Sequence, residues 1–365
     1  MAEITPRARA WATTMGGNPQ GDFVTAHAGA APQIATGAPV GRVAREEYEA
    51  ARLRPGAALA RGAGERAVPE EPDAERTCFE RDRDRIVHST AFRRLAGKTQ
   101  VVVFPTDHQR TRLTHALEVA QVATSIARGV GANVALAEAI ALGHDCGHGP
   151  GGHAAEDAFD VFLDYDHGPW GADVVLTSLN LCAETLDGVR NHSWSRPGPR
   201  TVEGQIVSWA DRIAYCAHDL EDAISAGILT LGQVPVEVAQ IAGRTRREQL
   251  SAFIRAVIST TVSAGQVGMD AETASALAAL RAFNYERIYT RAESLAQAAA
   301  VIDVLRALTE HYATHPSAMP PQQRGDDKVL AAVKYVAGMT DRYAFDRAVA
   351  ELGWDRARLP AGVSG

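Results

Sequence analysis

At 365 residues the chain can bury a substantial core, as one large domain or two ordinary ones. Hydrophobic residues make up 46% and aromatics only 6%, and long Ala-rich stretches are broken by Leu, Val, Ile and Glu, a composition that suits closely packed helices over sheets; the expected class is mainly α. A formal net charge of −7 argues against wholesale wrapping of nucleic acid, which draws on many Lys/Arg contacts to phosphate; Arg81, Arg83, Arg85, Arg93, Arg94, Lys98, Arg110 and Arg112 form a locally basic region that a solvated helix face explains as well as or better than a small basic pocket.

Residues 1 to about 40 are rich in Ala, Gly, Thr and Pro with little apolar periodicity, and a mobile tail is expected there. Met1 to Gly17 lacks the apolar run of a secretory signal, and no later stretch stays apolar and uncharged long enough to span a bilayer. The four cysteines, Cys78, Cys146, Cys182 and Cys216, form no C-x-x-C pair, which fits reduced thiols and a cytoplasmic location. Segment 41–74 is expected to hold a helix from around Arg45 and then a loop punctuated by Arg54-Pro-Gly and Val68-Pro-Glu-Glu-Pro72. The catalytic core is expected over 75–240, with 241–365 as a helical part that completes the fold.

From Leu113 the positions Ala116, Val119, Ala120, Ala123, Ile126 and Ala127 recur at helical spacing until Gly129 to Gly131, and His115 falls in the first turns of that helix. Ala135 to Leu142 predicts a second, strongly apolar helix leading into His144-Asp145. A third, roughly Glu203 to Ala226, is expected to bury Ile206, Val207, Ala210, Ile213, Ala214, Ala217 and Ile224. Past Ser251 the pattern stays helical, with a break at Pro316 to Gly325, and no fixed-period repeat suggests a solenoid.

The segment His144-Asp-Cys-Gly-His-Gly-Pro-Gly-Gly-His153 gathers three imidazoles and a carboxylate behind a hydrophobic helix. Such donors suit Mn²⁺, Fe²⁺, Zn²⁺ or Ni²⁺, and without a nearby Cys pair an open catalytic site is favoured over a closed structural one. For adjacent His144 and Asp145 to reach one ion the backbone must leave helical geometry, which Gly143 and Gly147 are expected to ease. A lone buried histidine is ordinarily a satisfied core residue, but His115 joins a pattern of several. On the third helix Asp211, Tyr215 and Asp219 recur at i, i+4 and i+8 as one polar stripe. Asp211 sits among core positions, where a carboxylate needs a metal or an ion pair, and a metal ligand is the preferred reading.

The runs Phe79-Glu-Arg-Asp-Arg-Asp-Arg-Ile-Val-His-Ser-Thr-Ala-Phe-Arg-Arg-Leu95, Lys98-Thr-Gln100, Asp107-His-Gln-Arg-Thr-Arg-Leu-Thr-His115 and Glu118-Val-Ala-Gln121 closely resemble the bacterial dGTPase-like dNTP triphosphohydrolases of the HD superfamily. The likeness continues through Ala139 to Asp145, Ala210 to Tyr215, His218 to Asp222 and Gly338-Met-Thr-Asp-Arg-Tyr343, and so spans about residues 75 to 350. It implies an HD-domain helical fold with additional C-terminal helices and a metal set of His115, His144, Asp145 and Asp211. It also implies catalytic roles for His148 and His153, with Glu156 orienting a histidine. Arg112 and Arg212 are implied on the triphosphate, with Lys98 a further candidate there, Tyr215 and Asp219 on the deoxyribose, and His167 in the pocket. The expected ion is Mn²⁺, Mg²⁺ or Fe²⁺, with Zn²⁺ or Ni²⁺ as alternatives. The chain departs from many relatives in having His148-Gly-Pro-Gly-Gly-His153 for His-Pro-Pro-Phe-Gly-His, Cys146 for Ile or Leu, and Arg212 for a common acidic residue.

The implied reaction splits a deoxynucleoside triphosphate into deoxynucleoside and tripolyphosphate, and the implied assembly is a homo-oligomer, tetramer or hexamer, that could take a nucleotide effector. Rival readings are another HD phosphohydrolase, on a different nucleotide, and a non-catalytic nucleotide sensor. The sensor has no need of the acid–base histidines.

Overall fold

The computed structural model describes residues 4–29, 32–101 and 109–360; Asp107 and His108 of the family-like motif lie outside them. The chain divides into two compact units, Met1–Val40 and Gly41–Gly365. In the first unit, Thr5 caps helix α1 (Pro6–Ala12) by accepting from Ala8 N, and Pro6 takes the first helical position. Strands β1 (Asn18–Gln20) and β2 (Phe23–Thr25) pair antiparallel, Asn18 opposite Thr25, around Gly21 at φ +74°. Within the expected tail, a cap and a glycine turn thus build elements too short to leave a periodic signal.

The second unit starts with α2 (Arg42–Arg52). In the loop that follows, Arg66 is buried against Asp82 at 2.6 Å and so ties the loop to α3 (Cys78–His88), which opens on a Thr77/Glu80 capping box. Then come α4 (Thr90–Arg94), α5 (Arg112–Val130), α6 (Val134–Gly143), α7 (Ala154–Phe159), α8 (His167–Trp170), α9 (Ala183–Asn191) and α10 (Val202–Ser225). The chain closes with α11 (Val236–Ile241), α12 (Arg246–Ala264), α13 (Ala271–Asn284), α14 (Ala292–Thr314), α15 (Lys328–Ala337) and α16 (Asp341–Leu352). Among the described residues the only sheet is the β1–β2 pair, so the class is mainly α as its composition predicts. No described helix is long and apolar enough to cross a membrane.

Two hydrophobic clusters hold this unit together. In the first, α5 packs on α6 and α10 through Ala116, Ala120, Ala123, Ala127, Ala137, Ala210 and Ala214, whose short side chains let the helix axes approach closely. Larger residues such as Ile126, Leu136, Ile140 and Ile213 fill what remains, each adding roughly 1.5–3 kcal/mol on burial. The second cluster sets α7 and α14–α16 around Phe159, Val301, Leu305, Val333, Val336 and Phe345. Cys146 belongs to the first cluster and Ala155 to the second, so the loop 147–153 crosses between them.

Candidate metal and nucleotide site

Each of the four expected metal ligands stands where a helix begins, ends or passes the crossing loop. His115 is one turn into α5, His144 and Asp145 follow the end of α6, and Asp211 lies midway along α10. His115 Nε2 is 3.0 Å from Asp211 Oδ1 and 3.9 Å from Asp145 Oδ2; His144 Nε2 is 3.4 Å from Asp145 Oδ1 and 3.7 Å from Asp211 Oδ1. His144 Nδ1 donates to Ala141 O at 2.6 Å, so the Nε2 lone pair faces the cluster, buried and without a hydrogen-bond partner among the described residues. An orphaned acceptor beside two carboxylates and a second imidazole fits a divalent cation. Burial opposes ionisation of Asp211 most strongly, yet His115, His144 and His192 hold its carboxyl below the usual range. The same holds for Asp145, where burial is outweighed by Arg112, His144 and His148.

Gly143 and Gly147 act differently from expectation, for neither has a positive φ. A Cβ on Gly143 would press on Val189 and Ile86, and one on Gly147 would lie 2.0 Å from His167 O, so both permit close packing. The left-handed turn comes later, at Gly151 (φ +74°) and Gly152 (φ +67°).

Beyond the cluster a chain of polar groups runs outward. Glu156 accepts from His153 Nδ1 at 2.9 Å and from His167 Nδ1 at 2.6 Å, and His167 stacks on His148 with ring centroids 3.8 Å apart. Burial, Arg112 and His167 keep His148 well below the ordinary imidazole range, hence neutral. His153 is the exposed member, its side chain 71% accessible. The Arg112 guanidinium donates Nη1 to Asp145 at 2.7 Å, while its Nε and Nη2 are buried with no partner among the described residues. Arg212 stacks over Trp194 at 3.5 Å. Tyr215 accepts from Arg281 Nε at 2.9 Å, and Asp219, whose carboxyl burial pushes up to about 7, accepts from the Tyr289 hydroxyl. All of these except Glu156 line one cavity of about 450 Å³, with His115, Asp145 and Asp211 at its base.

Lys98 is the exception among the expected substrate contacts, and its reading is corrected. It is buried, does not line the cavity, and donates Nζ to the carbonyl oxygens of His148 and Ala337. Three residues absent from the sequence reading join the site. His192, at the end of α9, donates Nδ1 to Val189 O and meets His167 Nε2 at 3.0 Å. Burial together with His167 and His144 lowers it to about 3, so it is neutral. A single histidine after a helix carries no signal of this kind. Arg281 and Tyr289 did leave one: with Tyr285 they recur every fourth residue, the spacing of Asp211, Tyr215 and Asp219, and a π-helical turn over Tyr285–Tyr289 aims them at the cavity.

A helical fold with a His/His-Asp/Asp cluster at the base of a nucleotide-sized cavity defines an HD-domain hydrolase, and residues 112–216 match the HD domain while 267–349 match the phosphohydrolase-associated domain. A Caldanaerobacter subterraneus protein named deoxyguanosinetriphosphate triphosphohydrolase-like is 40% identical, covering 82% of this chain and 92% of its own. Like-named proteins of Clostridium perfringens and Deinococcus radiodurans are 38% and 35% identical, covering 75% and 82% of this chain and 86% and 96% of theirs. The chain belongs to this deoxyguanosinetriphosphate triphosphohydrolase-like family of HD-domain hydrolases. The fold is shared with a hypothetical protein of Aquifex aeolicus of solved structure, at TM-score 0.50 and 17% identity over 76% of this chain and 69% of that one.

Proposed function

We propose that the protein hydrolyses deoxynucleoside triphosphates to deoxynucleoside and tripolyphosphate. The observation that carries this reading is the joint lining of one cavity by His115, Asp145 and Asp211 of the His/Asp cluster, a half-free guanidinium on Arg112, a histidine held by Glu156, and the Tyr215/Asp219/Tyr289 wall. His115, His144, Asp145 and Asp211 would hold a divalent ion, which when bound would supply Lewis acidity toward water and the α-phosphate oxygens. Water adds to the α-phosphorus, the Pα–O5′ bond breaks, and the three phosphates leave together. Arg112 binds the α-phosphate through its free Nε and Nη2 while Nη1 stays on Asp145. Arg212, steadied by Trp194, takes the outer phosphates. His153, oriented through Nδ1 by Glu156, gives a proton from Nε2 to the departing 5′-oxygen. His148, stacked on His167 and 3.2 Å from Asp145 Oδ1, stands beside the α-phosphate.

Incubation with each dNTP and NTP and a divalent ion, with anion-exchange separation of products, tests this reading. Tripolyphosphate and deoxynucleoside are expected; dNMP with pyrophosphate would refute it.

The sugar assignment yields its own expected result. Tyr215 lies one turn from Asp211 on α10 and faces the ribose C2′, and Asp219, a turn further, accepts from the 3′-hydroxyl. Burying an unpaired 2′-hydroxyl costs about 1–3 kcal/mol, so deoxynucleotides should be favoured at least roughly tenfold in kcat/KM. Tyr215→Ala should narrow that gap, and Asp219→Ala should abolish discrimination against 2′,3′-dideoxynucleotides. Equal hydrolysis of GTP and dGTP by the unaltered enzyme would remove the assignment while leaving the metal cluster standing.

A further inference from the structure

The loop from Gly147 to His153 contains four glycines among its seven residues, so it cannot by itself fix where His148 and His153 point. What holds it comes from the far end of the chain. Asp341, the first residue of α16 and 2% exposed, accepts from Gly151 N at 2.8 Å with one oxygen. Its other oxygen accepts from Thr99 N at 2.9 Å and from the Thr99 hydroxyl. Next to Thr99, the Lys98 ammonium bridges His148 O to Ala337 O, the last residue of α15. Val301 of α14 fills the space over Gly151, where an added Cβ would meet it at 2.4 Å. Among the described residues the three hydrogen bonds of the Asp341 carboxylate thus go to the two segments that flank the cavity, and burying a carboxylate against three donors is costly unless it holds something in place.

We propose that Asp341, acting with Lys98, is a positioning residue for catalysis: the C-terminal helices α14–α16 set the loop so that His153 meets the leaving 5′-oxygen. This rests on the reading of His153 as the proton donor. It gives the 267–349 region a mechanical task, since Asp341 and Val301 lie within it. It also explains why a lysine that resembles a substrate contact is turned inward: its charge serves the clamp.

Asp341→Asn keeps the shape but sets an amide N–H against one of the donors. A displacement near 1 Å at the reacting group costs up to about 10²-fold, so kcat should fall roughly 10- to 100-fold with KM within about threefold and the bound ion unchanged. The decisive comparison is the same substitution in a His153→Ala background. If Asp341 works through His153, the second substitution should add less than about threefold; an equal loss in both backgrounds, a raised KM with kcat intact, or unaltered kcat would overturn the proposal. Should Asp341→Asn fail to fold, Thr99→Val, which removes one hydroxyl donor, replaces it: a smaller, equally non-additive kcat loss is expected, and full activity would overturn the idea. Histidine-selective ¹⁵N NMR needs no substrate and separates this proposal from the reading of His153. The His153 ring signals should shift in the Asp341 or Thr99 variant, and unmoved signals would count against the clamp even if His153→Ala proved harmless.

Discussion

Asp211→Ala should leave a folded protein that no longer retains a divalent ion and has lost roughly 10³-fold or more in kcat/KM. Alanine is the best helix former, and position 211 is mid-helix on α10 with its side chain 20% exposed, so no large cavity opens. The charge balance changes far more. Asp211 Oδ1 is the atom that approaches both His115 Nε2 and His144 Nε2, and without it one carboxylate and two imidazoles remain in an open site. Losing several kcal/mol of charge stabilisation at the α-phosphate corresponds to about 10³-fold in rate. Elemental analysis of the purified variant checks the first half and steady-state kinetics the second. A variant that kept a stoichiometric ion and normal turnover would make Asp211 a structural partner of His115 and dissolve the ligand set.

His153→Ala should lower kcat by about 10²- to 10⁴-fold while KM changes little, because a proton donor to the leaving oxygen acts in the transition state. The side chain is mostly exposed, and Glu156 keeps its bond to His167 when His153 is gone, so folding should not suffer. A substrate in which the 5′-oxygen is replaced by a p-nitrophenolate leaving group needs no proton, and on it the variant should lose much less. A raised KM with unchanged kcat, or an equal loss on both substrates, would move His153 to a binding role.

How much of this was legible beforehand depends on the kind of constraint. The three long helices around the cluster announce themselves because each buries one face, and their observed bounds, Arg112–Val130, Val134–Gly143 and Val202–Ser225, fall within a few residues of the periodic runs. His115, His144, Asp145 and Asp211 were visible as chemistry, since imidazoles and carboxylates at core positions demand a partner. Lys98 misled because a lysine in a family-like motif looks the same whether it faces a phosphate or two backbone carbonyls; only the arrival of Ala337 decides it. Asp341 is the converse: its motif was noticed, but its partners Thr99 and Gly151 lie roughly 190 and more residues away in sequence. His192 depends on how the end of α9 meets α8 through His167, a tertiary contact with no local signature. The first-unit helix and hairpin went unseen because capping and turn chemistry over so few residues leaves no period to count.

In the proposed reaction water reaches the α-phosphorus and the Pα–O5′ bond is the one that breaks. Hydrolysis of dGTP in ¹⁸O-enriched water, followed by ³¹P NMR and mass spectrometry of both products, tests it most directly. One ¹⁸O per turnover should appear on a terminal phosphorus of intact tripolyphosphate, and the deoxynucleoside should carry none. Label in the deoxynucleoside 5′-oxygen, or release of labelled pyrophosphate or orthophosphate in place of tripolyphosphate, would contradict it.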